Sequence, residues 1–319
     1  VAVLLVPLAL VPQSASYLMM IAIGLAALGV SAVNATKLLA GHDRDRVFLG
    51  IALMVASAGT FGTLVSGQLS GLYVLAVTGS ALAWQRGQIE RAGAWAGLLV
   101  IKPNVALIPL LALLRGGGRR ALTGMVGVGL VALALGAVLG PSVWTDFVDA
   151  GREAVTEAAN DPESSARGLA KQPSLMAALR QAPGVPEAAA VGVWVVYSLL
   201  GVVALEAAWR RPEAFHPMRL FGATALFTVV VSPRLVFYDW VLVGPALAAW
   251  YVLDDSYAPY RWRWIGWAAG VASITAFVVS QPFVYGTAAV ATAVWCGVEL
   301  LDTYDTARRR DDAGRPPLR

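Results

Sequence analysis

Long blocks of apolar and small residues fill this chain, separated by short polar breaks. The blocks fall at about 1–11, 17–40, 47–66, 70–84, 92–114, 121–140, 189–208, 219–231, 236–253, 264–281 and 284–301. A helix that crosses a bilayer needs about 20 consecutive apolar residues. Some blocks reach that length and others are half as long. The pattern predicts an all-α polytopic membrane protein with about 9–12 transmembrane or half-spanning helices. Most connections are tight. The exception is 141–187, which carries Asp146, Asp149, Glu153, Glu157, Asp161 and Glu163 before Lys171 and Arg180. Connections this long are usually functional or disordered; stretches such as TDFVDAGREAVTEAA have helical composition and favour an ordered one. The reading is a membrane domain over 1–307 with one long ordered loop, followed by a basic tail over 308–319.

Composition supports a membrane protein. Of 319 residues, 58% are hydrophobic and 14% charged, against roughly 25% charged in soluble domains. The 11 tryptophans suit the belts at the membrane–water boundary. The net charge of +4 comes from arginines scattered between apolar blocks, so no nucleic-acid partner is expected. The lone Cys296 excludes an intrachain disulfide and a cysteine metal cluster. No cofactor is read from the sequence, and it is silent on a divalent metal. The chain opens on Val1 inside an apolar block without a charged leader, so further residues are expected before it.

Within AGAWAGLLVIKPNVALIPLLALL, Ala92 to Leu114, stands Lys102-Pro103. A cation at the centre of a membrane helix costs about 3 kcal/mol and by default marks a functional site. Proline disfavours helix at the residue before it. The helix is expected to break at the charge, and broken backbone at membrane depth survives only inside protein or beside a cavity. The plain alternative is a lysine snorkelling from a helix end.

Basic residues concentrate in QRGQIER (85–91), RGGGRR (115–120), WRRPEAFHPMR (209–219) and the tail from Arg308. The positive-inside rule puts these in the cytoplasm and the acidic loop outside. Loops 85–91 and 115–120 flank the Lys102 segment, so a single crossing would separate them. A hairpin of two half-helices turning at Lys102-Pro103 keeps both inside and lifts Lys102 toward the external face. This is the favoured reading.

Three more polar groups interrupt the apolar pattern. Gln68 sits in SGQLSG (66–71), which also reads as a plain turn. Lys171, Gln172, Ser174 and Arg180 fall in GLAKQPSLMAALRQ (168–181), where Ser174 and a helix N-terminus can hold an anion; an ordinary surface helix is the alternative. SPRLVFYDWVL (232–242) carries Arg234, Tyr238 and Asp239, also readable as a structural helix junction. With Asn104 beside Lys102, these groups are expected to gather at the external end. Lys102, Lys171, Arg180 and Arg234 would form a cationic site for a phosphate. Gln68, Asn104, Gln172, Ser174, Tyr238 and Asp239 would contact substrate, with Asp239 a weak candidate for general base.

In this order, GQLSGLYVLAV, RGQIERAGAWAGLLVIKPNVALIPLLALLRGGGRR, KQPSLMAALR and SPRLVFYDWVLVGPALA resemble the polyprenol-phosphate-mannose-dependent mannosyltransferases of glycosyltransferase family 87. The resemblance covers roughly residues 1–250. It implies a GT-C-like bundle in the cell membrane with an external active site. A polyprenyl-phosphate-linked hexose, usually mannose, would be transferred with inversion to a lipid or glycan acceptor. Lys102 would meet the donor phosphate, and Gln68 matches the glutamine of the family's Gly-Gln motif. Ser70 replaces a common asparagine. Gln172 and Ser174 match the loop motif loosely, and Arg234 and Asp239 stand where aromatic and histidine residues are common. The family's acidic catalytic residue lies in a first external loop, expected upstream of residue 1. A transporter or flippase for a lipid-linked or anionic substrate, and a non-catalytic scaffold, are the competing classes.

Overall fold

The computed structural model of the chain describes residues 11–140 except 67, positions 145, 149 and 152, and residues 174–232, 237–253 and 282–313. Among the described residues there are helices and no strands. They are α1 (Gln13–Leu38), α2 (Arg44–Val55), α3 (Ala58–Val65), α4 (Gly71–Gln85), α5 (Ile89–Gly97), α6 (Pro103–Leu139), α7 (Leu175–Gln181), α8 (Glu187–Trp209), α9 (Pro217–Val231), α10 (Gly244–Leu253) and α11 (Pro282–Ala313). Two 3-10 turns, Leu98–Ile101 and Phe237–Val243, precede α6 and α10.

Helix α9 is the hub. Apart from Arg219 near its start it is almost entirely apolar or small, and Met218 and every residue from Leu220 to Val231 are buried, as expected of a helix packed on all faces. Helices α1 and α8 and the α6 region are long and apolar enough to cross a membrane. They turn Leu18, Val138, Val196 and Leu200 outward. Contiguous apolar stripes of this kind are avoided on a soluble surface and fit a lipid-facing one. The chain is an all-α polytopic membrane protein.

Two apolar blocks are each divided. Block 47–66 becomes α2 and α3, broken at Ala56–Ser57. α2 starts earlier than its apolar block, at Arg44, because Asp43 caps it by accepting the Arg46 amide at 3.0 Å. Block 92–114 breaks at Lys102, whose φ of −131° and ψ of 90° are extended. Pro103 then occupies the first turn of α6, where its missing N–H costs nothing.

The chain reverses at that break. A Cβ on Gly117 would stand 2.8 Å from the Ile89 side chain, and one on Gly116 would stand 2.6 Å from the Trp209 ring. Ala96, Leu99 and Pro109 line one small void. Pro103–Gly117 therefore runs back along α5, with Lys102 at the tip. At Gly118 the backbone adopts φ 56° and ψ −141°, a region that favours glycine, and α6 turns again. Its second arm rises beside α5: a Cβ on Gly124 would lie 1.9 Å from the Glu90 carbonyl oxygen. Arg120 grips Glu90 with two hydrogen bonds of 2.5 and 3.2 Å. Loops 85–91 and 115–120 thus share one end of the bundle.

That end gathers the other basic segments. Glu206 accepts from Arg115 and Arg210, and Arg219 pairs with Glu299 and Asp302. His216 and Gln85 both reach the Leu38 carbonyl. Helix α11 continues through Arg308 to Ala313, so the tail begins within a helix. The opposite end holds Lys102, the 56–70 connection, the start of α8 and the turn before α10. The 141–187 connection lies mostly outside the described residues; Thr145, Asp149 and Arg152 are helical.

Candidate active site

At the tip of the hairpin, the Lys102 ammonium donates to the Asp239 carboxylate at 2.5 Å. The two residues are 137 positions apart in sequence. The local sequence explains Lys102. Leu98–Ile101 tightens into a 3-10 turn, Pro103 disfavours α geometry at 102, and the Lys102 carbonyl accepts the Val105 and Ala106 amides at 3.0 and 3.2 Å. The side chain projects from a fixed helix start.

Asp239 is positioned by close backbone packing. α9 stops at Val231, with Ser232 extended beyond it, and the chain resumes in the 3-10 turn Phe237–Val243. Helix α3 presses on this turn through Gly59. A Cβ there would lie 1.9 Å from the Val241 nitrogen and 2.3 Å from the Trp240 carbonyl carbon. Beside it the Ser57 and Thr60 hydroxyls share a 3.2 Å hydrogen bond. Gly244 meets the Met54 carbonyl oxygen, which a Cβ would approach to 2.8 Å. Small residues in α3 and α10 thereby let the segment that carries Asp239 pack closely against α3 and α2.

The pair is asymmetric. The Asp239 side chain has 0% exposure and the Lys102 side chain 21%. A ligand arriving at this end meets the cation, and the carboxylate anchors it from behind. In low dielectric a lone charge of either sign is costly, so each accounts for the other's presence. Asn104, one residue into the helix after Pro103, is exposed.

The Gln68 turn is fixed against α1. The Gln68 amide donates to the Thr63 carbonyl at 2.9 Å, and a Cβ on Gly71 would lie 2.7 Å from the Gly24 carbonyl oxygen. Ser70 is buried there. The α7 group behaves differently. Ser174 is buried and caps α7 by accepting the Ala177 amide at 3.3 Å. Arg180 donates to Glu187 at 2.8 Å, and these two residues link α7 to the start of α8. Lys171, Gln172 and Arg234 lie outside the described residues, and of Tyr238 only the backbone is described. Of the predicted site, the structure thus joins Lys102 directly to Asp239 and gives Arg180 another partner.

Sequence reasoning missed Ser57, Gly59 and Thr60, which lie within an apolar block. Their signal was the small and polar run ASAGTFGT, 56–63. It also did not join Lys102 to Asp239, setting Asp239 beside Arg234 at the helix junction instead, although opposite charges in a membrane chain are expected to find each other. Among the described residues no three His, Cys, Asp or Glu side chains stand together to hold a metal ion.

A sequence model of glycosyltransferase family 87 matches residues 1–233. No curated protein and no solved structure matches the chain.

Proposed function

The chain belongs to glycosyltransferase family 87, a membrane glycosyltransferase family, and from that premise we propose that it transfers a hexose, mannose by preference, from a polyprenyl-phosphate donor. The acceptor is a lipid or glycan at the end of the bundle where Lys102 stands. The observation that carries this reading is the Lys102–Asp239 pair: a partly exposed cation on the tip of a broken helix, braced by a buried carboxylate.

Displacement at a sugar C1 needs two things from the protein. A base takes the proton of the acceptor hydroxyl as its oxygen attacks C1. The bond from C1 to the phosphate oxygen breaks with inversion, and polyprenyl phosphate leaves with the electron pair. The charge that develops on that phosphate is stabilised by cations already in place. Lys102 supplies such a cation at the bundle end, where a lipid-linked phosphate would lie. Its tip position gives the donor tail access to the lipid-facing surface of the hairpin.

In this scheme Asp239 is a positioning residue. It is buried and already holds the ammonium, so it stops Lys102 from swinging toward bulk water. Asn104 and Gln68 are the described candidates for sugar hydroxyl contacts, with Lys171, Gln172 and Arg234 drawn in from segments the sequence places at the same end. The positive-inside rule sets the basic end in the cytoplasm and the site on the external face of the cell membrane. The family match favours transfer over transport.

The test is transfer of radiolabelled mannose from polyprenyl-phosphate mannose to a membrane lipid extract by the full-length protein in proteoliposomes. Lys102→Ala is expected to abolish product, and Lys102→Arg to retain a fraction. Full activity of Lys102→Ala, or transfer from a nucleotide sugar but not from the lipid-linked one, would overturn the reading.

A further inference from the structure

At the basic end, away from Lys102, a groove of about 740 Å³ opens between the first arm of α6, α8 and α11. Among the described residues four arginines line it, Arg115, Arg210, Arg211 and Arg308, against one carboxylate, Glu206. Glu206 Oε1 accepts from Arg115 Nε at 2.7 Å and from Arg210 Nε at 2.9 Å. One oxygen therefore bridges two guanidinium groups and holds them side by side in a charge-rich groove. Arg115 and Arg210 are 46% and 62% exposed, so this cluster is open to a ligand.

The groove does not end at the arginines. Through Arg115, Val202 and Glu206, which line both spaces, it continues into an apolar crevice of about 120 Å³ between the hairpin arm and α8. Leu111, Ala112, Leu205 and Phe227 wall the crevice. Leu111 and Val202 on its rim are 59% and 52% exposed, facing outward with the lipid-facing valines of α8. The space has a cationic mouth just beyond the end of α8 and an apolar slot directed into the membrane.

We propose that this groove binds an anionic phospholipid of the leaflet at the basic end. Its headgroup phosphate lies among Arg115, Arg210 and Arg308, and one acyl chain enters the crevice between the hairpin arm and α8. Guanidinium forks match phosphate oxygens two at a time. Exposed Tyr304 at the groove edge suits the membrane–water boundary. The apolar slot is what a free phosphate cannot use and a lipid can. The bound lipid would brace the arm whose other end is Lys102, stabilising the hairpin from the opposite end.

The experiment uses the full chain in detergent micelles, titrated with dioleoyl phosphatidylglycerol, dioleoyl phosphatidylcholine or inorganic phosphate, and followed by thermal shift and native mass spectrometry. Phosphatidylglycerol is expected to bind and raise the melting temperature, with the other two inactive. Each of Arg115→Gln, Arg210→Gln and Arg308→Gln is expected to weaken binding about five-fold, from about 1 kcal/mol per basic residue near an anionic surface. Ala112→Trp fills the slot and should remove the binding with every arginine intact, so the test stands even where an arginine variant fails to fold. Equal binding of phosphatidylcholine would overturn the proposal. So would inorganic phosphate acting alone, or a triple glutamine variant that keeps the preference.

Discussion

Lys102 Nζ lies 2.5 Å from Asp239 Oδ2, joining the tip of a broken helix to a turn 137 residues away. The exposure of the two partners predicts unequal consequences of removing them. Lys102→Ala removes the ammonium that meets a fully buried carboxylate, and breaking a buried pair from one side is worth about 3–5 kcal/mol. Asp239→Asn leaves a lysine that is 21% exposed and can lean toward water. Lys102→Ala should melt at clearly lower temperature than Asp239→Asn. The apolar double variant Lys102→Met with Asp239→Leu should recover most of the loss, because well-packed apolar pairs replace buried ion pairs at little cost. All three should lack transferase activity. Thermal unfolding in detergent checks the order; equal melting of the two single variants would contradict the buried-anchor reading.

Gly59 tests whether the packing of α3 on the Asp239 turn sets the rate. A Cβ there meets backbone on the Trp240–Val241 segment at 1.9 and 2.3 Å, so α3 and the turn must part. Gly59→Ala should displace Asp239 and lower the rate of sugar transfer at least ten-fold. Gly127, whose Cβ would meet nothing within 4 Å, is the control, and Gly127→Ala should leave the rate unchanged. Steady-state transfer rates of the two variants, measured on folded protein by size exclusion, decide it.

Much of this was legible in the sequence for a physical reason. Apolar blocks report membrane depth, and proline after an isolated lysine reports a break, so the hairpin at Lys102 was readable together with the basic loops that flank it. The division of block 47–66 was not readable. Ala56 and Ser57 break no hydrophobic pattern, and the cause is tertiary: α3 must approach the Asp239 turn backbone to backbone. The pairing of Lys102 with Asp239 was hidden for the same reason, since it depends on Gly59 and Gly244 bringing distant segments together. Ser174 carries a signature that a helix cap and an anion site share; the structure shows the cap, with the hydroxyl accepting the Ala177 amide.

His216 predicts a pH dependence at the basic end. Its Nδ1 accepts the Met218 amide at 3.2 Å, capping α9, so the ring proton lies on Nε2 and is donated to the Leu38 carbonyl at 3.1 Å. Burial pushes its pKa below the usual 6.5; the Leu38 carbonyl opposes this, and nearby His42 adds to it. A histidine with a depressed folded pKa is fully stabilising above its unfolded value. That stability is lost as pH falls below about 6.5, because the unfolded chain binds the proton first. Melting temperature should therefore fall between about pH 7 and about pH 5. His216→Asn keeps a cap without the titration and should flatten this slope. An unchanged slope in that variant would assign the effect elsewhere.

The hairpin makes a topological prediction that a single crossing does not. Gly117 faces Ile89, and Arg120 holds Glu90, so Arg86 and Arg119 lie at one end and Asn104 at the other. All three are exposed. The native Cys296 is fully buried, so single cysteines introduced at the three positions report without a background thiol. In spheroplasts, a membrane-impermeant maleimide should label Asn104→Cys directly. Arg86→Cys and Arg119→Cys should label only after permeabilisation, because the basic end is cytoplasmic by the positive-inside rule. Labelling of 86 and 119 from opposite sides would rule the hairpin out. Labelling of both from outside, with 104 protected, would keep the hairpin but invert the bundle, moving the Lys102 site and its donor to the cytoplasmic leaflet.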